Sequence, residues 1–260
     1  MSEALAQLLS MERGIGICWL GNLGWLLRAQ GLLLAFDLDL DCNPRISPPP
    51  VSAHELAPVL DLQLITHEHG DHFCGSTSRI LAENGQCRFI LPASCLDKAR
   101  DLGLSEDRTT VARPGQPFDI LGIQVEPQRA LHGHVGPSVY RHANLDDCGY
   151  VLNLSGLRIY QPGDTVLLQE HLEDFADVDI LFVSPTEHNT RVDGSVRLIE
   201  AIRPTHIFPQ HFATYVPTAE NSFWTVGYPS ELGEALPEEL RAGYHQVEQG
   251  EVFVVPESPQ

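Results

Sequence analysis

Positive charge is scarce in this sequence: 16 Lys and Arg stand against 35 Asp and Glu, a formal charge of −19. A surface this acidic repels phosphate backbones and anionic lipid, which argues against nucleic acid and membrane as partners. Long apolar runs are missing too. The longest, Leu32 to Phe36, is far shorter than the roughly 20 residues that span a bilayer as a helix. The stretch Met1 to Arg13 holds Glu3 and Glu12 and no basic segment followed by an apolar one. It does not read as a signal peptide, and a cytoplasmic protein is expected. The six cysteines (Cys18, Cys42, Cys74, Cys87, Cys95, Cys148) form no Cys-x-x-Cys pair and no dense framework, so buried free thiols are expected. No segment is composed like a flexible spacer, and residues 1–260 read as a single domain. What the chain does have is 12 histidines set among all that acid.

The organisation is α/β. Residues 15–27 run into Gly31 to Phe36 as a hairpin of two buried strands. A loop bearing Pro44 and Pro48 to Pro50 follows. Leu60 to Thr66 reads as a short buried strand, Ser76 to Glu83 as a helix closed by Asn84-Gly85, and Arg88 to Leu91 as a strand. Ala93 to Leu102 reads as a helix ended by Gly103, and Phe118 to Val125 as a hairpin about Leu121-Gly122 with its second arm running towards Leu131. The pattern then restarts with a hairpin from Tyr150 to Tyr160 turning at Ser155-Gly156. A strand Val178 to Val183, a helix Gly194 to Ile202, a strand Thr205 to Pro209 and a closing strand Glu251 to Val255 follow. Hairpins followed by strand–helix units in both halves predict two similar β-rich lobes with helices outside: mixed sheets packed face to face.

Thr66-His67-Glu68-His69-Gly70-Asp71-His72 directly follows the apolar run ending at Ile65, so these side chains sit on a loop at a strand end. Three imidazoles and a carboxylate are poor material for a core but good ligands for zinc, manganese or iron. His67 and His69, one residue apart, point to the same side of an extended turn and can chelate one ion, leaving Asp71 and His72 to face a second. Three further elements end at chemistry-bearing residues. Gln161-Pro-Gly163-Asp164-Thr165 follows the arm Leu157 to Tyr160, Pro209-Gln210-His211-Phe212 closes the strand from Thr205, and Ala130-Leu-His132-Gly-His134 follows the second arm of the hairpin from Phe118. Taken singly, Asp164 is good turn chemistry and His211 an ordinary half-buried histidine.

The motif His67-x-His69-x-Asp71-His72 resembles the signature of the metallo-β-lactamase superfamily, whose fold is a four-layer αββα sandwich of two mixed β-sheets flanked by helices. The flanks, Ile17 to Gly21, Leu33 to Asp37 and Asp61 to Thr66, are similar to the branch of metal-dependent hydrolases that includes ascorbate-6-phosphate lactonase. One departure is that Gly21 is followed by Asn22 where that branch commonly carries His. The resemblance runs from about residue 15 to about residue 216. It implies two divalent ions, Zn2+ or Mn2+ with iron as a further option. His67 and His69 would hold the first ion, Asp71, His72 and His211 the second, and Asp164 would bridge them. The remaining ligand is His132, which fits the Ala-x-His spacing of the lactonase-like branch, or His134, which fits the Gly-His of other branches. His188, just past the strand Val178 to Val183, or whichever of His132 and His134 is not a ligand, is a candidate proton donor.

The resemblance implies a metal-dependent hydrolase that uses a metal-bridged hydroxide, aimed by Asp71, to cleave a small ester, lactone or phosphoester. A metal lowers the pKa of water from about 15.7 towards about 7. Two dications against two carboxylates and one hydroxide leave a small positive charge, so an anionic small-molecule substrate is a candidate. The Leu38 to His54 loop and the aromatic group Phe212, Tyr215, Phe223, Trp224 and Tyr228 are placed to cap or wall a pocket, or simply to pack. Alternatives are an iron oxidoreductase on the same scaffold, although its flavodiiron form usually places Glu where this chain has His69, and a non-catalytic metal-binding protein. A nuclease is disfavoured by the acidic charge and the lack of any basic stretch. Nothing in the sequence predicts the number of subunits.

Overall fold

The computed structural model describes residues 1–132, 144–173, 175 and 177–256. Its first sheet has strand order β13-β1-β2-β3-β4-β5-β6. The strands are β1 Ile15–Gly21, β2 Gly24–Ala29, β3 Leu32–Phe36, β4 Leu62–Leu64, β5 Arg88–Pro92, β6 Thr109–Ala112 and β13 Val252–Val255. The second sheet has order β12-β11-β10-β9-β8-β7. It comprises β7 Phe118–Ile120, β8 Ile123–Arg129, β9 Cys148–Leu154, β10 Leu157–Gln161, β11 Ile180–Val183 and β12 His206–Pro209. Each sheet is antiparallel where hairpins feed it and parallel where strand–helix units do.

Side-chain alternation explains the layering. Ile15, Ile17, Trp19, Trp25, Leu27, Leu34 and Phe36 point between the sheets, where they meet Tyr150, Leu152, Ile159 and Phe182. Cys18, Leu20, Leu26, Leu33 and Ala35 alternate with them on the outer face and pack against α1 Glu3–Ser10, α2 Ala53–Leu56, α3 Gly75–Asn84 and α4 Leu96–Asp101. Outside the second sheet, α5 Arg191–Ile202, α7 Pro229–Ala235 and α8 Glu238–Arg241 cover Val151, Leu181 and Val183, while α6 Ser222–Thr225 lies between α5 and α7 in the chain. The expected αββα sandwich is therefore present. Among the described residues no helix is long and apolar enough to cross a membrane.

Several local expectations differ from the structure. The opening hairpin is a three-stranded meander, because Asn22 adopts φ 50° and turns the chain between β1 and β2. The arm from Phe118 ends at Arg129 rather than Leu131. The helix read from Ala93 starts as a short 3-10 turn, Ala93–Cys95, before α4. Strand β6, a half-buried Thr-Thr-Val followed by Ala112, has too weak a periodicity to be marked by the sequence. The cysteine expectation fails at one pair: Cys42 and Cys74 form a disulfide, while Cys18, Cys87, Cys95 and Cys148 are buried free thiols. The proline-bearing loop folds over the start of α3 and brings two cysteines 32 positions apart to a Cα separation of 5.7 Å, which spacing alone does not reveal. Such a bond is uncommon in reducing compartments and weighs against the cytoplasmic expectation.

Candidate metal centre

Strand direction assembles the site. β10, β11 and β12 are parallel, and β8 runs the same way because two antiparallel pairings separate it from β10. Their C-terminal ends therefore share one edge of the sheet, where His132, Asp164, His188 and His211 follow β8, β10, β11 and β12 in turn. From the other sheet, Asp37 follows β3 and the motif from His67 to His72 follows its parallel neighbour β4.

Seven of the sequence-predicted residues, His67, His69, Asp71, His72, His132, Asp164 and His211, are brought together, and His188 joins them. His134 lies outside the described residues, so of the two rivals only the position of His132 is described. His69 Nδ1 lies 3.0 Å from His67 Nε2 and 3.1 Å from His132 Nε2. On the other side, His72 Nε2 lies 3.3 Å and His211 Nε2 3.8 Å from Asp71 Oδ2. Asp164 Oδ2 stands between the two groups, 3.4 Å from His72, 3.3 Å from His211, 2.9 Å from His188 and 3.9 Å from His132. Asn189 Nδ2 donates to its other oxygen at 2.9 Å.

Burial and charge set the protonation states. Burial pushes His67 well below the ordinary histidine value, lowers His69, and takes His132 down to about 4. Burial opposes charge on His72 as well, but Asp71, Asp164 and Asp37 around it win and hold its proton. The same burial opposes ionisation of Asp71 and Asp164, yet the histidines against them hold both below the usual carboxylate range. The result is three neutral imidazoles facing one another and two ionised carboxylates. His72 Nε2 and His132 Nδ1 are buried without a hydrogen-bond partner among the described residues, both within 4 Å of Asp164 Oδ2. Facing imidazole nitrogens with too few protons to share, beside carboxylates and orphaned ring nitrogens, form a donor set that fits divalent cations.

A second layer of side chains, which the sequence reading assigned no role, orients this set. Asp37 accepts from Thr66 N at 2.8 Å and from Thr66 Oγ1 at 2.7 Å, and His72 Nδ1 donates to it at 2.9 Å. That proton placement aims His72 Nε2 at the cluster. His188 is held between Thr186 Oγ1, 3.1 Å from its Nδ1, and Asp164 Oδ2, 2.9 Å from its Nε2. Asn22 Nδ2 donates to Asp71 Oδ2 at 3.1 Å, so the position marked as a departure in the sequence contacts the motif directly. Beneath the edge, Gln161 and Gln210 exchange hydrogen bonds of 2.9 and 2.7 Å and tie the loop of Asp164 to that of His211, with Trp25 Nε1 donating to Gln210 at 2.9 Å. Gly163, at φ 65°, lets its loop pass Thr66, whose Cβ would lie 2.7 Å from an added Cβ.

A cavity of about 520 Å³ opens over the cluster, walled by Asn43 of the proline-bearing loop, Glu68, Asn144, Asp147, Phe223 and Trp224. Of the aromatic group read as a possible wall, Phe223 and Trp224 line it, whereas Phe212 and Tyr215 are buried.

Two face-packed mixed sheets with a histidine–carboxylate cluster at one edge define a metallo-β-lactamase-fold protein with a candidate metal centre. A family model described as a beta-lactamase superfamily domain matches residues 36–212, more than half of the chain, and the chain belongs to that superfamily. A UPF0173 metal-dependent hydrolase of Carboxydothermus hydrogenoformans is 28% identical over 229 residues, covering 85% of this chain and 92% of that protein. Among solved structures, isothiocyanate hydrolase from Delia radicum gut bacteria is similar with TM-score 0.75 and 16% identity, covering 93% of this chain and 99% of that one. CmlA, a diiron β-hydroxylase from Streptomyces venezuelae, is similar with TM-score 0.67 and 13% identity over 94% of this chain and 55% of that one. At such identities the likeness to solved structures is one of fold.

Proposed function

We propose that the protein is a metal-dependent hydrolase of small molecules that holds two divalent ions, zinc or manganese, and cleaves an ester, lactone or phosphoester. Its relatives are named metal-dependent hydrolases, and that is the enzyme class of this chain. The observation that carries the two-ion reading is the placement of Asp164 Oδ2 between the two histidine groups. His67, His69 and His132 would hold one ion, Asp71, His72 and His211 the other, with Asp164 shared. When bound, such ions acidify water and stabilise negative charge developing on a carbonyl or phosphoryl oxygen.

The chain's own residues supply the rest. Asp37 and Thr66 orient His72, Asn22 orients Asp71, and Asn189 fixes Asp164. His188, which lines the cavity and is held between Thr186 and Asp164, is the residue proposed to move a proton at the leaving group. The expected result of Asp164→Ala is loss of at least one metal equivalent by elemental analysis, together with loss of hydrolysis across a panel of lactones, thioesters and phosphodiesters. Retention of both metals by that variant would sink the bridging assignment, and purified protein coloured by iron would move the reading towards an oxidoreductase.

A further inference from the structure

The ligand charges alone suggest an anionic substrate, but the walls of the cavity do not. Beyond the candidate ligands, the described wall adds two more carboxylates, Glu68 and Asp147, two neutral amides, Asn43 and Asn144, and no Lys or Arg. The nearest amine, Lys98, is outside the wall: its Nζ donates to the Glu68 carbonyl oxygen at 2.7 Å and lies 5.0 Å over the Phe73 ring. Asp147 is only 4% exposed. Ser94 Oγ donates to one of its oxygens at 2.8 Å, and no hydrogen bond from the described residues reaches the other. A largely buried carboxylate on a cavity wall, with Ser94 its one side-chain donor among the described residues, is better satisfied when a cation or a hydrogen-bond donor binds beside it.

The two sides of the cavity differ in character. Phe223 lies 6.0 Å from the His188 ring and Trp224 6.2 Å from the His211 ring, centroid to centroid, so the aromatic wall borders that end of the cluster. Glu68 belongs to the loop of His67 and His69, and the backbone carbonyl of Asp147 accepts from the amide of Ala130, two residues before His132, so the acidic wall borders the opposite end.

Building on the hydrolase reading above, we propose that this cavity selects esters with an uncharged or cationic remote group over anionic ones. Phe223 and Trp224 take an apolar acyl part, while Asp147 and Glu68 take an ammonium or hydrogen-bond-donating part. Aromatic faces and carboxylates are the two groups that favour an ammonium over a sulfonate or phosphate. Burial, with the Glu68 charge adding to it and Ser94 opposing, pushes the Asp147 carboxyl up to about 7, and a bound cation would keep it ionised.

The test holds the scissile bond constant and varies only the remote charge. Phenylacetate esters of 2-(trimethylammonio)ethanol, 3,3-dimethylbutanol and 2-hydroxyethanesulfonate are compared on the metal-loaded protein. Alongside, calorimetric titration with choline and with isethionate gives a readout independent of turnover. The cationic ester is expected to exceed the sulfonate ester at least ten-fold in kcat/KM, and Asp147→Asn should shrink that ratio to within two- or three-fold. Should Asp147→Asn not fold, Glu68→Gln at its exposed position must still narrow the ratio. A sulfonate ester turned over as well as the cationic one overturns the proposal, and so does an unchanged ratio in the variants. If none of the esters is cleaved with both metals bound while choline binds and isethionate does not, the hydrolase reading fails for esters and the charge selection stands.

Discussion

Asp37 acts on His72, 35 positions away, and nothing in the local sequence announces the pairing. The histidines and Asp71 are legible because they are contiguous and their density is implausible in a core. Asp37, Asn189 and the Gln161–Gln210 pair are not legible, because each is an ordinary polar residue until folding supplies its partner. Asn22 lay between these cases, visible as an anomaly without a role. Asp37→Asn keeps the shape and removes the charge that orients His72. Metal affinity is expected to fall about 10- to 100-fold in chelator competition, and wild-type affinity in the variant would contradict the positioning role. Protonation supplies a second expectation at this scale. His67, His69 and His132 are pushed below the ordinary value of 6.5 by burial, His132 to about 4. Between those values these groups bind more protons in the unfolded chain than in the folded one, so their contribution to stability declines as pH falls through that window. His72 is shifted upward, and its contribution is already complete below 6.5, so it does not cancel that slope. Asp147, pushed up to about 7, gives the opposite slope in the same window, so the test is a difference: between about pH 6.5 and 4 metal-stripped His132→Asn should lose less Tm than the wild type, and parallel profiles would count against a buried, neutral His132.

The sequence marks an element clearly wherever period and punctuation agree. The hairpin of β9 and β10 turns at Ser155 and Gly156, at φ 53° and 76°, as its dipeptide demands. The opening meander departs from the expected two-stranded hairpin because a non-glycine, Asn22, takes the left-handed turn position, where its backbone N–H donates to the distant Thr214 Oγ1 at 2.6 Å. The link between the proline-bearing loop and α3 belongs to this scale too. Closing the 32-residue span between Cys42 and Cys74 restricts the unfolded chain, and its loss is expected to cost about 3–4 kcal/mol. Denaturant midpoints of the metal-stripped protein with and without reductant would measure it, with Cys42→Ser as the control that should no longer respond to reductant. Coincident midpoints would show that the bond contributes no stability.

For the whole molecule, the acidic surface and the candidate metal centre impose opposite rules at different distances. The acidic surface of a chain with a net charge of −19 acts over roughly a Debye length, about 8 Å at physiological salt, and no binding to duplex DNA or to RNA is expected in gel-shift titration at that salt. A salt-dependent shift at micromolar protein would reverse that reading and reopen the nuclease alternative. The two sheets repeat one plan, a meander joined to parallel strands, and the strand periods and the restart of the pattern at Tyr150 already imply it. The sequence by itself determined the layers and the motif from His67 to His72, because alternation and contiguity are local properties of a chain. Tertiary structure alone decided which distant residues meet: Asp37 with His72, Asn22 with Asp71, His188 with Asp164, Cys42 with Cys74, and Asp147 with the cavity. Those meetings depend on strand order and direction, which place C-terminal strand ends on one edge, and no spacing along the chain encodes that geometry directly.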